Sequence, residues 1–125
     1  MTANSERRLK ILLVDDEMLV RSGTAMMLDE LGHEVTEARS AKEALLLIVD
    51  ASPFDLVITD YRMPDMDGAA MIAEARKQRP DLRAVLMTGY DADDPRFDGI
   101  DCPNLAKPFG LEELEQAIAA AFRAD

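Results

Sequence analysis

The sequence predicts an α/β fold, a doubly wound parallel sheet with helices on both faces. Three observations carry that prediction. Short, nearly continuous apolar runs such as LKILLV and RAVLMT recur along the chain, as strands buried on both faces require. Between them, apolar residues fall three and four apart, the spacing of a helix with one buried stripe. The two patterns alternate from one end of the chain to the other.

Residues 1–8 are polar and read as a flexible tail before a single domain over residues 9–124. Leu9–Val14 is a central strand that ends at Asp15 and Asp16. Glu17–Leu31 follows as a helix with Val20, Thr24, Met27 and Leu31 inward, stopped by Gly32. His33–Ala38 alternates weakly, as a short strand near an edge does, and His33 reads as a surface turn residue rather than a ligand. Ser40 and Glu43 form a capping box, and the helix behind them presents Ala41, Ala44, Leu45, Ile48 and Val49.

The stretch Phe54–Gly68 (FDLVITDYRMPDMDG) is a buried strand ending at Asp60, followed by a Pro- and Gly-shaped loop. Gly68–Arg79 is a third helix with Met71, Ile72 and Ala75 inward, and Arg83–Thr88 is a fourth strand. Tyr90–Ile100 carries four aspartates, a proline and a glycine, so it holds at most a shortened or irregular fourth helix. Asn104–Ala106 is a brief strand ending at Lys107. Leu111–Ala124 closes the chain as a helix with Leu111, Leu114, Ile118 and Phe122 inward. Met26, Met27, Met71 and Met87 read as core fillers. Five strands at this length favour the flavodoxin-like order 2-1-3-4-5.

Composition narrows the function. A formal net charge of −11 repels phosphate backbones and anionic membranes, which argues against direct nucleic-acid binding. The single cysteine, Cys102, rules out an internal disulfide and fits a reducing compartment. No apolar run approaches the ~18 residues of a spanning helix, and the N-terminus lacks a signal-peptide centre. The expectation is a cytoplasmic protein without membrane insertion.

In a parallel α/β sheet, ligands bind beyond the carboxyl ends of the strands. Those ends here are Asp15 and Asp16, Asp60, Thr88 and Lys107. With strands one and three adjacent, three carboxylates converge and repel one another. A hard divalent cation relieves that conflict, and an all-oxygen, acid-rich set favours Mg²⁺ over Zn²⁺. Thr88 and Lys107 add a hydroxyl donor and an ammonium, which together with a cation suit a phosphoryl group. Asp60 lies between the two sets and is the candidate nucleophile. Each residue alone is commonly a turn former, so the argument rests on all five standing at strand ends.

With those residues in hand, the sequence resembles the receiver domain of two-component response regulators. The matching motifs are LLVDDE (Leu12–Glu17), DLVITDYRMPDMDG (Asp55–Gly68), MTGY (Met87–Tyr90) and KPF (Lys107–Phe109), and the resemblance spans Lys10–Phe122. It implies a phospho-aspartyl switch in which Asp60 takes its phosphoryl group from phosphohistidine on a histidine kinase or a histidine phosphotransfer protein. It further implies Mg²⁺ held by Asp16, Asp60 and the Arg62 backbone carbonyl, with Asp15 acting through water. By the same resemblance Thr88 and Lys107 bind the phosphoryl group, the Lys107–Pro108 peptide is cis, and partner choice lies around Met18–Met26 and Pro108–Leu111.

Two features depart from the family pattern. Three residues before the lysine the family has a Tyr or Phe that acts in the switch, and here the position is Asn104. The interval from Thr88 to Lys107 is also short. Readout therefore falls to the segment Tyr90–Cys102, with Arg62 and Tyr90 as candidate gates of the pocket. The chain ends just after the last helix, which suits a stand-alone regulator acting by protein contact or phosphorelay, or a receiver from a hybrid kinase; TGY and KPF lean toward the latter. The expectation is a switch that promotes its own phosphorylation and dephosphorylation, not a turnover enzyme. A Mg²⁺-dependent phosphohydrolase with an aspartyl-phosphate intermediate is the alternative, yet such enzymes carry an acid where Arg62 stands. An interaction module with a vestigial pocket is a second alternative.

Overall fold

The structure is a computed structural model that describes residues 8–50, 53–89 and 102–123. Five strands form one parallel sheet: β1 (Lys10–Val14), β2 (Glu34–Ala38), β3 (Leu56–Asp60), β4 (Arg83–Thr88) and β5 (Asn104–Ala106). Their order is β2-β1-β3-β4-β5, as expected from the sequence. Four helices accompany them among the described residues: α1 (Met18–Glu30), α2 (Ala41–Asp50), α3 (Gly68–Gln78) and α4 (Leu111–Arg123). The expected irregular helix between β4 and β5 falls on residues 90–101, outside the described residues, and so does Tyr90.

Successive strand residues point to opposite faces, so each central strand feeds two cores. Leu12, Val14, Val57 and Leu86 pack on one face against α2 and α3. Ile11, Leu13, Ile58 and Met87 pack on the other against α1 and α4. All five residues of β3 are buried, as expected of a strand at the centre of the sheet. That double burial is why these strands read as continuous apolar runs rather than alternating ones.

The helix ends follow local chemistry. Gly32 takes φ 93°, the left-handed value that ends a helix cheaply only at glycine, and its N–H reaches the Asp29 carbonyl at 2.9 Å. At the start of α2, the Glu43 N–H donates to Ser40 Oγ at 3.0 Å. Glu43 Oε1 in turn accepts the Arg39 N–H, one residue ahead of the Ser40 cap, at 2.8 Å. Asp67 caps α3 by accepting from the Ala70 N–H at 2.8 Å.

Several expectations about inward faces need correction. In α1 the buried residues are Thr24 and Leu28, while Val20 and Met26 are exposed. Val20 lies in the first turn of α1, which starts past the end of β1, and Met26 lies on the outer flank of the helix. Leu111, in the first turn of α4, is exposed as well. In α2 the buried stripe runs along Ala41, Ala44 and Ile48, and Val49 lies on the exposed flank.

His33 is the clearest correction. It is only 8% exposed, and its Nδ1 accepts the Leu9 N–H at 3.1 Å. Leu9 is itself buried, and its amide precedes the first ladder bond of β1, so without His33 that donor has no partner there. The imidazole therefore extends the β1–β2 ladder by one rung.

That role requires an unprotonated Nδ1. Burial pushes the His33 pKa below its ordinary 6.5, against a smaller upward pull from Glu115. A depressed histidine contributes its full stability above pH 6.5, and loses it as the pH falls toward the folded value because the unfolded chain gains the proton first. The expected outcome is a urea midpoint that drops between about pH 7.5 and pH 5.5, either side of the ordinary histidine value. In His33→Gln that slope should flatten. An equal slope in both proteins would exclude His33 as its source.

Candidate functional site

The carboxyl ends of β1, β3, β4 and β5 meet at one edge of the sheet, and there the predicted residues converge. Asp15, Asp16 and Asp60 each place a carboxylate oxygen within 4.8 Å of the others. Asp15 is fully buried, Asp16 is exposed and Asp60 lies just below the surface. From β5's end, Lys107 Nζ reaches Asp60 Oδ1 at 3.2 Å and Asp15 Oδ2 at 3.4 Å. The Lys107–Pro108 peptide is cis, as the resemblance implied. Thr88 is 1% exposed, and its Oγ1 has no hydrogen-bond partner among the described residues.

Each side chain is held by its backbone. The Asp15 N–H continues the β1–β2 ladder to the Ala38 carbonyl at 3.1 Å, and its Oδ1 accepts the Glu17 N–H at 3.0 Å. Asp60 ends β3 in register with Met87, and the Tyr61 N–H donates to the Met87 carbonyl at 2.9 Å. Behind Asp60 the chain closes tightly: the Gly68 N–H bonds the Tyr61 carbonyl at 2.8 Å. A Cβ on Gly68 would run into the Asp60 carbonyl oxygen, so only glycine lets α3 start there. The Lys107 N–H bonds the Thr88 carbonyl at 2.7 Å, which places the lysine beside the threonine.

Electrostatics makes the pocket a cation seeker. Three carboxylates face a single ammonium, so the cluster keeps an excess of negative charge. Burial pushes the Asp60 carboxyl above its ordinary range; Lys107 opposes that rise and Asp15 adds to it. Burial alone would lower the Lys107 ammonium, but the charges of Asp60 and then Asp15 outweigh it and hold the pKa above its usual value. The donors are all oxygen and partly open to solvent, which fits a hard divalent ion that keeps some of its water. The unpartnered Thr88 hydroxyl is a buried donor waiting for an acceptor, and a desolvated hydroxyl of that kind costs about 1–3 kcal/mol.

Among the supporting residues that sequence reasoning missed is Arg21. Arg21 of α1 donates through Nη1 to the Asp15 carbonyl at 2.8 Å and through Nε to Glu37 Oε1 at 2.9 Å. It clamps the turn that presents Asp15 and Asp16 to the end of β2. Its place one helical turn past Glu17 reads only as an ordinary surface arginine. Arg62 is exposed and lines a shallow cleft with Asp16, Tyr61, Met63, Pro64 and Asp67. Asn104 is exposed on β5.

Residues 11–119 match the response regulator receiver domain family. This chain belongs to that family. Among curated relatives, the receiver is 36% identical over 118 residues to the transcriptional regulatory protein PmrA of Pectobacterium parmentieri, covering 92% of this chain and 53% of PmrA. It is also 36% identical over 117 residues to the sensor kinase CckA of Brucella abortus, covering 86% of this chain and 12% of that kinase. The receiver thus spans about half of the one relative and a small part of the other. Among solved structures, the response regulator TrrA of Thermotoga maritima, in complex with Mg²⁺ and BeF, aligns with a TM-score of 0.79 at 31% identity. That alignment covers 90% of this chain and 98% of TrrA.

The receiver makes one prediction about Thr88 directly. Thr88→Val removes the unpartnered hydroxyl while keeping the side chain's shape, so it should stabilise the fold by about 1 kcal/mol. A urea titration reads this out. Destabilisation would mean that the hydroxyl has a partner in solution.

Proposed function

We propose that the protein is a phospho-aspartyl switch of a two-component or phosphorelay system, with Asp60 as the acceptor. One observation carries the reading: Asp15, Asp16 and Asp60 converge on Lys107 beside the unpartnered Thr88 hydroxyl. A cluster evolved only for stability would pair its charges and satisfy its hydroxyl. This one leaves an anionic excess and an idle donor next to one carboxylate.

The donor is a phosphohistidine on a histidine kinase or a histidine phosphotransfer protein. An Asp60 carboxylate oxygen attacks phosphorus. The P–O bond forms as the P–N bond breaks, and the imidazole leaves with the electron pair and takes up a proton from solvent. Lys107 then pairs with the phosphoryl oxygens, and Thr88 donates its hydroxyl to one of them. Asp16, Asp60 and the Arg62 carbonyl would hold Mg²⁺, with Asp15 acting through water. When bound, the ion supplies the positive charge that the cluster lacks and screens the approaching phosphoryl group. Later hydrolysis of the acyl phosphate resets the switch, without turnover of a small substrate.

Several observations support this reading over a phosphohydrolase. The position two residues past Asp60 is Arg62, so no carboxylic acid stands there to protonate a leaving group. The first helix also offers a docking surface beside the pocket: Leu19 is 83% exposed and Met18 64%, in the first turn of the helix that starts two residues after Asp16. Exposed apolar residues on a charged protein mark a contact site, and a helical partner bearing the phosphohistidine fits it. No helix among the described residues is long and apolar enough to cross a membrane. Output passes by protein contact or onward phosphorelay, in a reducing, cytoplasmic setting.

Incubation with Mg²⁺ and acetyl phosphate should add one phosphoryl mass to the intact chain, and Asp60→Asn should show none. Continuous phosphate release at enzyme rates would instead favour the hydrolase, and no adduct at all a vestigial pocket. Mg²⁺ alone, at a hundredfold excess over its Kd, should raise unfolding stability by about 2.7 kcal/mol. Asp16→Asn should lose most of that gain in the same urea titration.

A further inference from the structure

The loop between β3 and α3 is tied at its crest to a different part of the fold. Asp65 Oδ2 accepts the Lys42 N–H at 2.9 Å, and its Oδ1 faces the Ala41 N–H at 3.4 Å. Both donors belong to the first turn of α2, which follows β2. The third free amide of that turn, Glu43 N–H, goes to Ser40 Oγ. The helix therefore has two caps: a local one from Ser40, and a remote one borrowed from the loop that follows Asp60.

That borrowing has a geometric consequence. The sheet order puts β1 between β2 and β3, so the Asp65–α2 contact bridges over the carboxyl end of β1, where Asp15 and Asp16 sit. At its base the same loop is fixed by the Tyr61 N–H to Met87 and by the Gly68 N–H to Tyr61. Arg62 lies between the base and the crest, in the cleft that also contains Asp16. The contact is favourable for its charge as well as its geometry: the helix start is the positive end of a dipole. The Lys42 N–H bond holds the Asp65 carboxyl below its ordinary range.

We infer that Asp65 is a positioning residue, whose bonds to the start of α2 hold the β3–α3 loop at the depth where Arg62 completes the cation site. The inference rests on the proposed reading of the acid pocket. Asp65 itself touches neither the acids nor the phosphoryl group. It acts through the backbone of the loop, as an outer partner acts through a metal ligand.

The test uses Mg²⁺ itself, with its Kd read from amide shifts at a temperature well below unfolding. Asp65→Ala should weaken Mg²⁺ about tenfold, the lower end of what outer partners contribute. Asp65→Asn keeps an oxygen acceptor suited to a helix start and should recover most of the affinity. Ser40→Ala removes the other cap of the same helix, so it should lower stability but leave the Kd unchanged. The rate of phosphorylation by acetyl phosphate in Asp65→Ala should fall at limiting Mg²⁺ and return to the wild-type rate at saturation. Wild-type Kd in Asp65→Ala would overturn the inference. So would an equal loss in Ser40→Ala, because the effect would then belong to helix stability. Absence of Mg²⁺ binding by the wild type would instead bring down the pocket reading, and this inference with it.

Discussion

Three carboxylates and one ammonium at the end of a parallel sheet are the interaction on which the rest of this structure depends. Lys107 bridges Asp60 at 3.2 Å and Asp15 at 3.4 Å, and that bridge, with the Glu17 N–H bond to Asp15, makes the burial of Asp15 tolerable without an ion. The charge is still unbalanced. A buried unpaired excess is expensive, and a protein keeps such an arrangement where binding later relieves it. The Thr88 hydroxyl tells the same story for hydrogen bonding, since it is desolvated without a partner. Both deficits have the same remedy, a cation and an anionic oxygen arriving together.

Holding those groups in place falls to the backbone rather than to other side chains. β1, β3 and β4 are buried on both faces, and their register, Val14 beside Thr59 and Asp60 beside Met87, fixes where the strands end beneath the pocket. A sheet packed on both sides moves little, because its side chains are close-packed against two helical layers. The loops are then trimmed by a few specific contacts. Arg21 holds the carbonyl of Asp15, Gly68 admits the close turn behind Asp60, and Asp65 ties the crest of the loop to α2. Rigid strands with loops pinned at their crests are what an acyl-phosphate site needs, since small displacements weaken both metal and phosphoryl contacts.

Asn104 sits at the position where the family has an aromatic side chain, on a strand of three residues whose other exposed member is Ala106. Neither residue offers the large apolar surface that repacks when a buried hydroxyl changes partner. In its first turn, just past Asp16, α1 exposes Met18 and Leu19.

Much of this was legible in the sequence because its causes are local or periodic. Double burial forces apolar runs, so the five strands and their order could be read before any coordinates. The acids, Thr88 and Lys107 stood out because all terminate strands, and parallel topology sends strand ends to one edge. Periodicity failed at the first turns of two helices, where Val20 and Leu111 keep helical spacing yet stay exposed, and Met26 lies on the outer flank of α1. The histidine failed for another reason, since a lone His33 at a turn gives no hint that a buried amide 24 residues away needs its nitrogen. The same holds for Asp65, which reads as a turn residue until the chain folds and brings the first turn of α2 to it. Local preferences and strand ends are properties of the chain; which distant backbone donor a side chain must satisfy is decided only when the sheet brings the two together.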